Sequence, residues 1–314
     1  MKTTTKDKKL TSMTAIDLFA GAGGFSIGAE MAACNVVWAG NHWPRAVDIH
    51  AANHPDTIHA CQDMQQTDWR LVPGHDILLA SPACQGHSSA RGKEKQHHDA
   101  LRSTAWAVVS AAECHRPPVV VVENVPAFTK WVLFPAWCQA MLAMGYSVAP
   151  HHIDAADHGV PQSRPRLFLI LTKSKNPLQL NFTKLDHVPA SSVIDFGSGN
   201  WTCVDTKVAA TRARIENGRR HCGKRFVMPY YGGGSGLTGR SLDRPIGTIT
   251  TKNRWGVVDH NRMRMVMAEE SRKFMGFPDN YILPTGITEA TFMLGNAVCP
   301  PVARDVINAI RAAV

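Results

Sequence analysis

A thiol and a carboxylate stand just past two apolar runs. Asp76-Ile77-Leu78-Leu79-Ala80-Ser81 leads into Pro82-Ala83-Cys84-Gln85, and Val119–Val122 delivers Glu123-Asn124-Val125. At the ends of two neighbouring buried strands, Cys84 and Glu123 are suited to act as a nucleophile and its acid partner. A buried thiol by itself packs as a small inert apolar group, so the facing carboxylate is what marks Cys84. A second candidate is the turn Ile16-Asp17-Leu18-Phe19-Ala20-Gly21-Ala22-Gly23-Gly24-Phe25-Ser26, directly after an apolar run. Glycines there let the backbone turn tightly and meet a ligand at the N-terminus of the next helix, the logic of nucleotide-type cofactor sites. A dinucleotide enzyme usually ends its second strand with an acidic residue for the ribose, but this strand ends Ala39-Gly40-Asn41-His42-Trp43. Trp43 can lie against an adenine and His42 can bond a ribose hydroxyl; alternatively Trp43 packs at a helix start.

These residues need a scaffold, and the first 172 residues supply its pattern. Short β-rich runs near 13–19, 36–40, 75–80, 118–123 and 166–172 alternate with helical segments near 24–33, 43–52, 100–115 and 131–144. This predicts an α/β, Rossmann-like fold with a mostly parallel sheet covered on both faces. After Thr172 the pattern breaks into Gly, Arg, Asn and Ser, ending in Tyr230-Tyr231 and a glycine run, which predicts a small irregular lobe. Order returns at Pro245-Ile246-Gly247-Thr248-Ile249-Thr250, then in a helix opening near Ala268 and a last helix from about Pro301 to Ala313, begun by a proline pair.

The 314 residues are enough for one large core and a smaller lobe, and 44% hydrophobic with 19% charged content is that of a globular chain, neither disordered nor fibrous. No apolar run reaches the roughly 18 to 20 residues that span a bilayer, and the start lacks the apolar core of a secretion signal, so the expectation is a cytoplasmic protein without membrane contact. The 8 cysteines are scattered singly, with neither zinc nor disulfide spacing, so no metal is expected. The net charge of +9 is uneven. From Lys173 to Arg240, basic residues far outnumber the four acids Asp186, Asp195, Asp205 and Glu216, as in a surface that faces a polyanion or simply a solvated basic face.

Taken in order, these segments resemble the motif series of the cytosine-C5 DNA methyltransferases. The resemblance runs from the Asp17–Ser26 turn through Pro82-Ala83-Cys84-Gln85 and Glu123-Asn124-Val125 to Gln162-Ser163-Arg164-Pro165-Arg166. It resumes at Arg244-Pro245 through Thr250 and at Gly295-Asn296-Ala297-Val298. It implies a methyl group carried from S-adenosylmethionine to C5 of a cytosine, leaving S-adenosylhomocysteine. Cys84 would attack C6, Glu123 would hydrogen-bond or protonate N3, and Arg166 would contact O2. Arg164 and Asn124 would order the pocket and the Cys84 loop. The cofactor would lie across Asp17, Phe19, Ala20, Gly21, Gly23, Gly24 and Phe25, with Phe19 and Trp43 against the adenine and His42 near the ribose. Asp63 would accept from the adenine amino group, and Pro82 and Asn296 would complete the pocket. Asp63 also reads as a plain turn cap.

A base inside a duplex exposes neither ring face, so the chemistry implies that the cytosine is flipped out. The polar loop from Gly86 to Gln96 is the candidate to close over it, with Gln85, Ser88, Arg91 and Lys93 at the DNA. The family's variable segment makes 175–240 the expected target-recognition lobe, where Arg212, Arg214, Arg219, Arg220, Lys224 and Arg225 are candidates for phosphate or guanine contacts. The expected division is therefore a disordered basic tail over 1–12, a catalytic and cofactor domain over 13–174, that lobe, and a return segment over 241–314.

Three departures stand out. Pro-Ala-Cys replaces the family's Pro-Pro-Cys and frees a backbone N–H. His42 replaces a ribose-binding glutamate, which suggests a weaker, pH-dependent cofactor site and tolerance of an acidic cofactor derivative. The lobe is short, which argues for a short target. The chain carries no evident nuclease motif, so a restriction endonuclease partner would be a separate protein, and a monomer is expected. The rival readings are an RNA (transfer RNA) cytosine-C5 methyltransferase, a catalytically silent DNA-binding regulator, and a nicotinamide dehydrogenase, which would give Cys84 and Glu123 no role.

Overall fold

Each central strand splits its side chains between two cores. Val119 and Val121 join Ile77, Leu79 and Ala15 on one face, while Val120 and Val122 join Leu78, Ala80, Ile16 and Leu18 on the other. A computed structural model describes residues 13–83, 103–230 and 239–313. In it β1 (Thr14–Leu18), β2 (Asn35–Asn41), β3 (Ile58–Cys61), β4 (Ile77–Ala80), β5 (Val119–Asn124), β6 (Ser147–Asp154) and β7 (Pro165–Thr172) form one sheet in the order β3-β2-β1-β4-β5-β7-β6. β1 to β5 pair in parallel, and β7 runs antiparallel to both β5 and β6. Helices α1 (Gly24–Met31), α2 (Pro44–Asn53) and α8 (Pro300–Ala313) cover the first face, through Phe25, Ala29, Ile49, Val302, Val306 and Ile310. Helices α3 (Trp106–His115) and α4 (Phe134–Ala143) cover the second through Val108, Ala111, Trp137 and Met141. The strand order switches sides between β1 and β4, which remain parallel, so the crevice beyond their carboxyl ends receives both the Asp17–Gly24 turn and the segment leading to Cys84.

The two strands without a counterpart in the sequence pattern are the sheet edges. β3 has four residues, and β6 carries Pro150 beside two histidines, features that blunt an edge and erase the alternating signal. The segment expected to be irregular is more ordered than its composition suggests. It holds helix α5 (Ala209–Cys222) and strands β8 (Thr202–Cys203), β9 (Arg225–Pro229) and β10 (Arg240–Ser241). With β11 (Trp255–Asp259) and β12 (Arg262–Met265) these make an antiparallel sheet, β10-β9-β11-β12-β8, so the lobe's sheet takes two strands from beyond residue 240. Ile215, Phe226, Met228, Val258 and Met263 form its core. Those strands are short and studded with arginine, and their partners are distant in sequence, so local periodicity does not reveal them. Two further helices, α6 (Ala268–Phe274) and α7 (Ile287–Asn296), precede α8. Arg264 on β12 grips the Glu270 carboxylate on α6 through two nitrogens, at 2.8 and 2.6 Å, and ties the lobe to the return segment.

Candidate active site

Register alone brings Glu123 and Arg166 together. Glu123 on β5 pairs with Phe168 on β7, and Arg166, two residues away, shares its face as a diagonal neighbour. Arg166 Nε lies 3.0 Å from Glu123 Oε1, with both side chains largely buried. Burial pushes the Glu123 carboxyl above its ordinary range, opposed first by Arg166 and then by Arg164. A carboxyl held in this balance can offer a proton or a strong hydrogen bond to a ring nitrogen.

Arg164 is a strut and touches no open surface. Its guanidinium donates to the carbonyls of Ile249, Gly295 and Ala297, each at 2.8 Å, and so fixes the turn around Asn296 against the end of β7. Asn296 itself is exposed at the last position of α7. Gln162, which the sequence offered only as a motif letter, is fully buried. It donates to Phe274 O at 3.0 Å and accepts from Ile249 N at 2.7 Å, clamping the same segment.

Cys84, Gln85, Ser88, Arg91 and Lys93 lie outside the described residues, as does the rest of the 86–96 loop. The approach to Cys84 is described. Asn124 donates from Nδ2 to Pro82 O at 3.1 Å while its Oδ1 accepts from Val125 N, so the end of β5 holds the chain leaving β4. The N–H that Ala83 carries in place of a second proline donates to Thr104 Oγ1 at 3.2 Å, and this bond restores part of the restraint that proline would give.

The Asp17–Gly24 turn has the strained backbone that a cofactor loop needs. Phe19, Gly21 and Gly23 have φ of 64°, 55° and 72°. Gly24 packs so closely on the Val298 carbonyl that a Cβ would overlap it, and this contact joins the turn to the final motif. Phe19 and Trp43 are half-buried at the ends of β1 and β2, with Trp43 edge-on to Phe292 at 5.6 Å. His42 is exposed, and Asp63 Oδ1 accepts from Gln65 N at 2.9 Å, the turn-cap role. Two expected cofactor contacts lie deeper. Phe25 is 1% exposed and packs edge-on against Phe168, which makes it a core residue beneath the turn. Asp17 is fully buried, with Oδ2 accepting from Ser26 Oγ at 2.8 Å and a buried Oδ1 without a partner. Burial pushes its carboxyl up to about 7, against the hydrogen bonds of Ser26. A glycine turn at a helix N-terminus, two half-buried aromatic rings and a buried carboxyl with one unpartnered oxygen beneath fit a cationic nucleoside such as S-adenosylmethionine.

The basic residues of the lobe divide. Arg225 bonds Asp259 at 2.7 Å, Arg219 bonds His260 O at 2.7 Å, and Arg214 bonds Pro229 O at 2.5 Å, so these three hold the lobe together. Arg212, Arg220 and Lys224 are exposed.

Residues 13–312 match the family described as C-5 cytosine-specific DNA methylase. Type II methyltransferase M.HhaI of Haemophilus parahaemolyticus is 26% identical over 93% of this chain and 92% of its own, and M.NlaX of Neisseria lactamica is 28% identical over 95% and 96%. Among solved structures, the S. pombe Dnmt2 methyltransferase superposes with a TM-score of 0.68 at 14% identity, covering 96% of this chain and 98% of that one, a likeness of fold. With the match spanning the glycine turn, the β5 carboxylate and the final asparagine motif, the chain belongs to the C-5 cytosine-specific DNA methylase family.

Proposed function

We propose that this DNA cytosine-C5 methyltransferase works through a covalent Cys84–C6 adduct on a cytosine flipped out of duplex DNA. S-adenosylmethionine is the methyl donor that the family implies, and when bound it supplies an electrophilic methyl group and leaves as S-adenosylhomocysteine. The Cys84 thiolate adds to C6 while Glu123 gives a proton or a strong hydrogen bond to N3, so the ring electrons accumulate at C5 rather than as charge. C5 takes the methyl group, its proton is then lost to a base, and the thiolate is expelled as N3 returns any proton it took to Glu123 and the ring regains aromaticity. Arg166 orients Glu123 and contacts O2, and Asn124 holds the approach to Cys84. Phe19, Trp43, His42, Asp63 and Asn296 surround the nucleoside, with Asp17, Gly21, Gly23 and Gly24 shaping the turn under it.

The observation that carries this reading is the buried Glu123–Arg166 pair beside an Asn124 that grips the carbonyl two residues before Cys84. The exposed Arg212, Arg220 and Lys224 are the lobe's candidates for DNA phosphates. The enzyme acts as a monomer in the cytoplasm, beside a separate restriction endonuclease if it has one. Trapping tests the mechanism. Duplex DNA carrying 5-fluorocytosine, incubated with S-adenosylmethionine, should give a denaturation-resistant complex with the native chain and none with Cys84→Ser. Trapping with fluorinated RNA alone would reassign the substrate, and equal trapping by the Cys84→Ser chain would remove Cys84 from its role.

A further inference from the structure

Behind the glycine turn, four side chains on four elements link head to tail. His59 on β3 is half-buried, and its Nε2 lies 2.8 Å from His50 Nδ1 on α2. His50 Nε2 lies 3.0 Å from Ser26 Oγ on α1, and Ser26 Oγ lies 2.8 Å from Asp17 Oδ2 at the end of β1. His50, Ser26 and Asp17 are all essentially inaccessible. With Asp17 ionised, the donors must all point inward: His59 to His50, His50 to Ser26, Ser26 to Asp17. With Asp17 protonated, the same four groups can point outward without losing a bond. The cluster also touches the turn, because a Cβ on Gly23 would strike Tyr281, His54 and His50.

We propose that Asp17, Ser26, His50 and His59 form a proton wire between the surface and the floor of the cofactor turn, so that cofactor binding is coupled to release of a proton. Ser26 and His50 are then positioning residues that act through Asp17. The inference rests on the turn being the cofactor site. Release runs outward: Asp17 gives its proton to Ser26 Oγ, Ser26 gives its own to His50 Nε2, His50 gives the proton on Nδ1 to His59 Nε2, and His59 gives one to water. Every group passes on one proton for each that it receives. The driving force is the cation of the bound cofactor, which favours an ionised Asp17. Burial holds the Asp17 carboxyl at about 7 and holds His50 and His59 below their ordinary values, so the proton rests on Asp17 or leaves. The other charged or titratable groups that face this cluster are Glu30 on α1, His54 just past α2, its ring tilted against that of His50 at 4.4 Å, and Tyr281 before α7, which donates to Ala22 O.

The test is stopped-flow mixing of the full chain with S-adenosylmethionine at pH 7, following tryptophan fluorescence for binding and a weakly buffered indicator for protons. The native chain should release a measurable fraction of a proton per cofactor bound, in step with binding, and less as pH rises and Asp17 ionises before binding. Asp17→Asn should bind more weakly, and the binding that remains should release no proton. In His50→Gln, release should lag binding by about tenfold or more. His59→Gln, at the half-buried end of the chain of bonds, should show the same lag. Binding by the native chain without proton release, or release in step with binding in both histidine variants, would overturn the wire. Absence of any cofactor binding by the native chain would instead overturn the reading of the turn, and the wire with it.

Discussion

Arg164→Lys is the substitution that most directly separates geometry from charge at this site. The guanidinium donates to three buried carbonyls, those of Ile249, Gly295 and Ala297, each at 2.8 Å. A lysine ammonium, a single point on a shorter chain, cannot stand at both the Nη1 position that serves Ile249 and the Nη2 position that serves Gly295 and Ala297, so at least one of the three loses its charged donor. At about 1.5 to 3 kcal/mol for a lost charge-assisted bond to a buried carbonyl, the cost is a sizeable share of a typical domain's roughly 5 to 15 kcal/mol. Because Asn296 stands between two of those carbonyls, the last motif should loosen too, and affinity for S-adenosylhomocysteine should fall about tenfold, the equivalent of one bond at 1.4 kcal/mol. Lysine keeps the positive charge near Glu123; Arg164→Met removes it, so the Glu123 carboxyl should rise further only in the methionine variant. Urea unfolding read by tryptophan fluorescence gives the stability, and calorimetric titration gives the affinity. If Arg164→Lys unfolds within about 1 kcal/mol of the native chain and binds S-adenosylhomocysteine equally well, the strut argument is wrong.

Glu123→Gln should keep DNA binding in gel shifts but lower single-turnover methyl transfer by about 10² to 10⁴, the usual share of a positioned proton donor. In the native chain, burial raises the Glu123 carboxyl, so the protonated form persists above the ordinary carboxylate range and its contribution fades as pH rises through the shifted value; a pH–rate profile reads this limb. Asp259 is the reverse case. Burial opposes its ionisation, but Arg225, His260 and Arg262 outweigh it and hold the carboxyl well below its ordinary range. Its stabilisation is present at neutral pH and is lost as pH falls below the unfolded value of about 4, and Asp259→Asn should cost about 2 to 3 kcal/mol at pH 7, visible as faster hydrogen exchange in β9 and β11. Within the lobe, Arg220→Ala should leave stability unchanged and reduce the slope of log affinity for DNA against log salt by about one. Arg225→Ala should lower the stability of the lobe instead, because it strips a partner from the buried Asp259.

The carboxylate at the end of β5, the glycine turn and the parallel core were legible in the chain because each is a local pattern. A run of valines bounded by Glu123, or glycines directly after β1, carries its meaning within a few residues. The order of the motifs along the chain named the family on the same terms. Other features depend on partners far away in sequence, and no window contains them. β9 pairs with β11 across the glycine segment, and Arg225, in sequence one more candidate for DNA, is spent on Asp259. Arg164 reaches carbonyls at 249, 295 and 297. Phe25 reads as part of the cofactor turn but turns into the core against Phe168. His50 and His54 stand one helical turn apart, a spacing that could have flagged a cluster, yet only the fold adds His59, Ser26 and Asp17 to it. Residue type sets what chemistry a side chain can do. Burial and partners, fixed when the strands and helices pack, decide whether it is spent on holding the fold or left free to act.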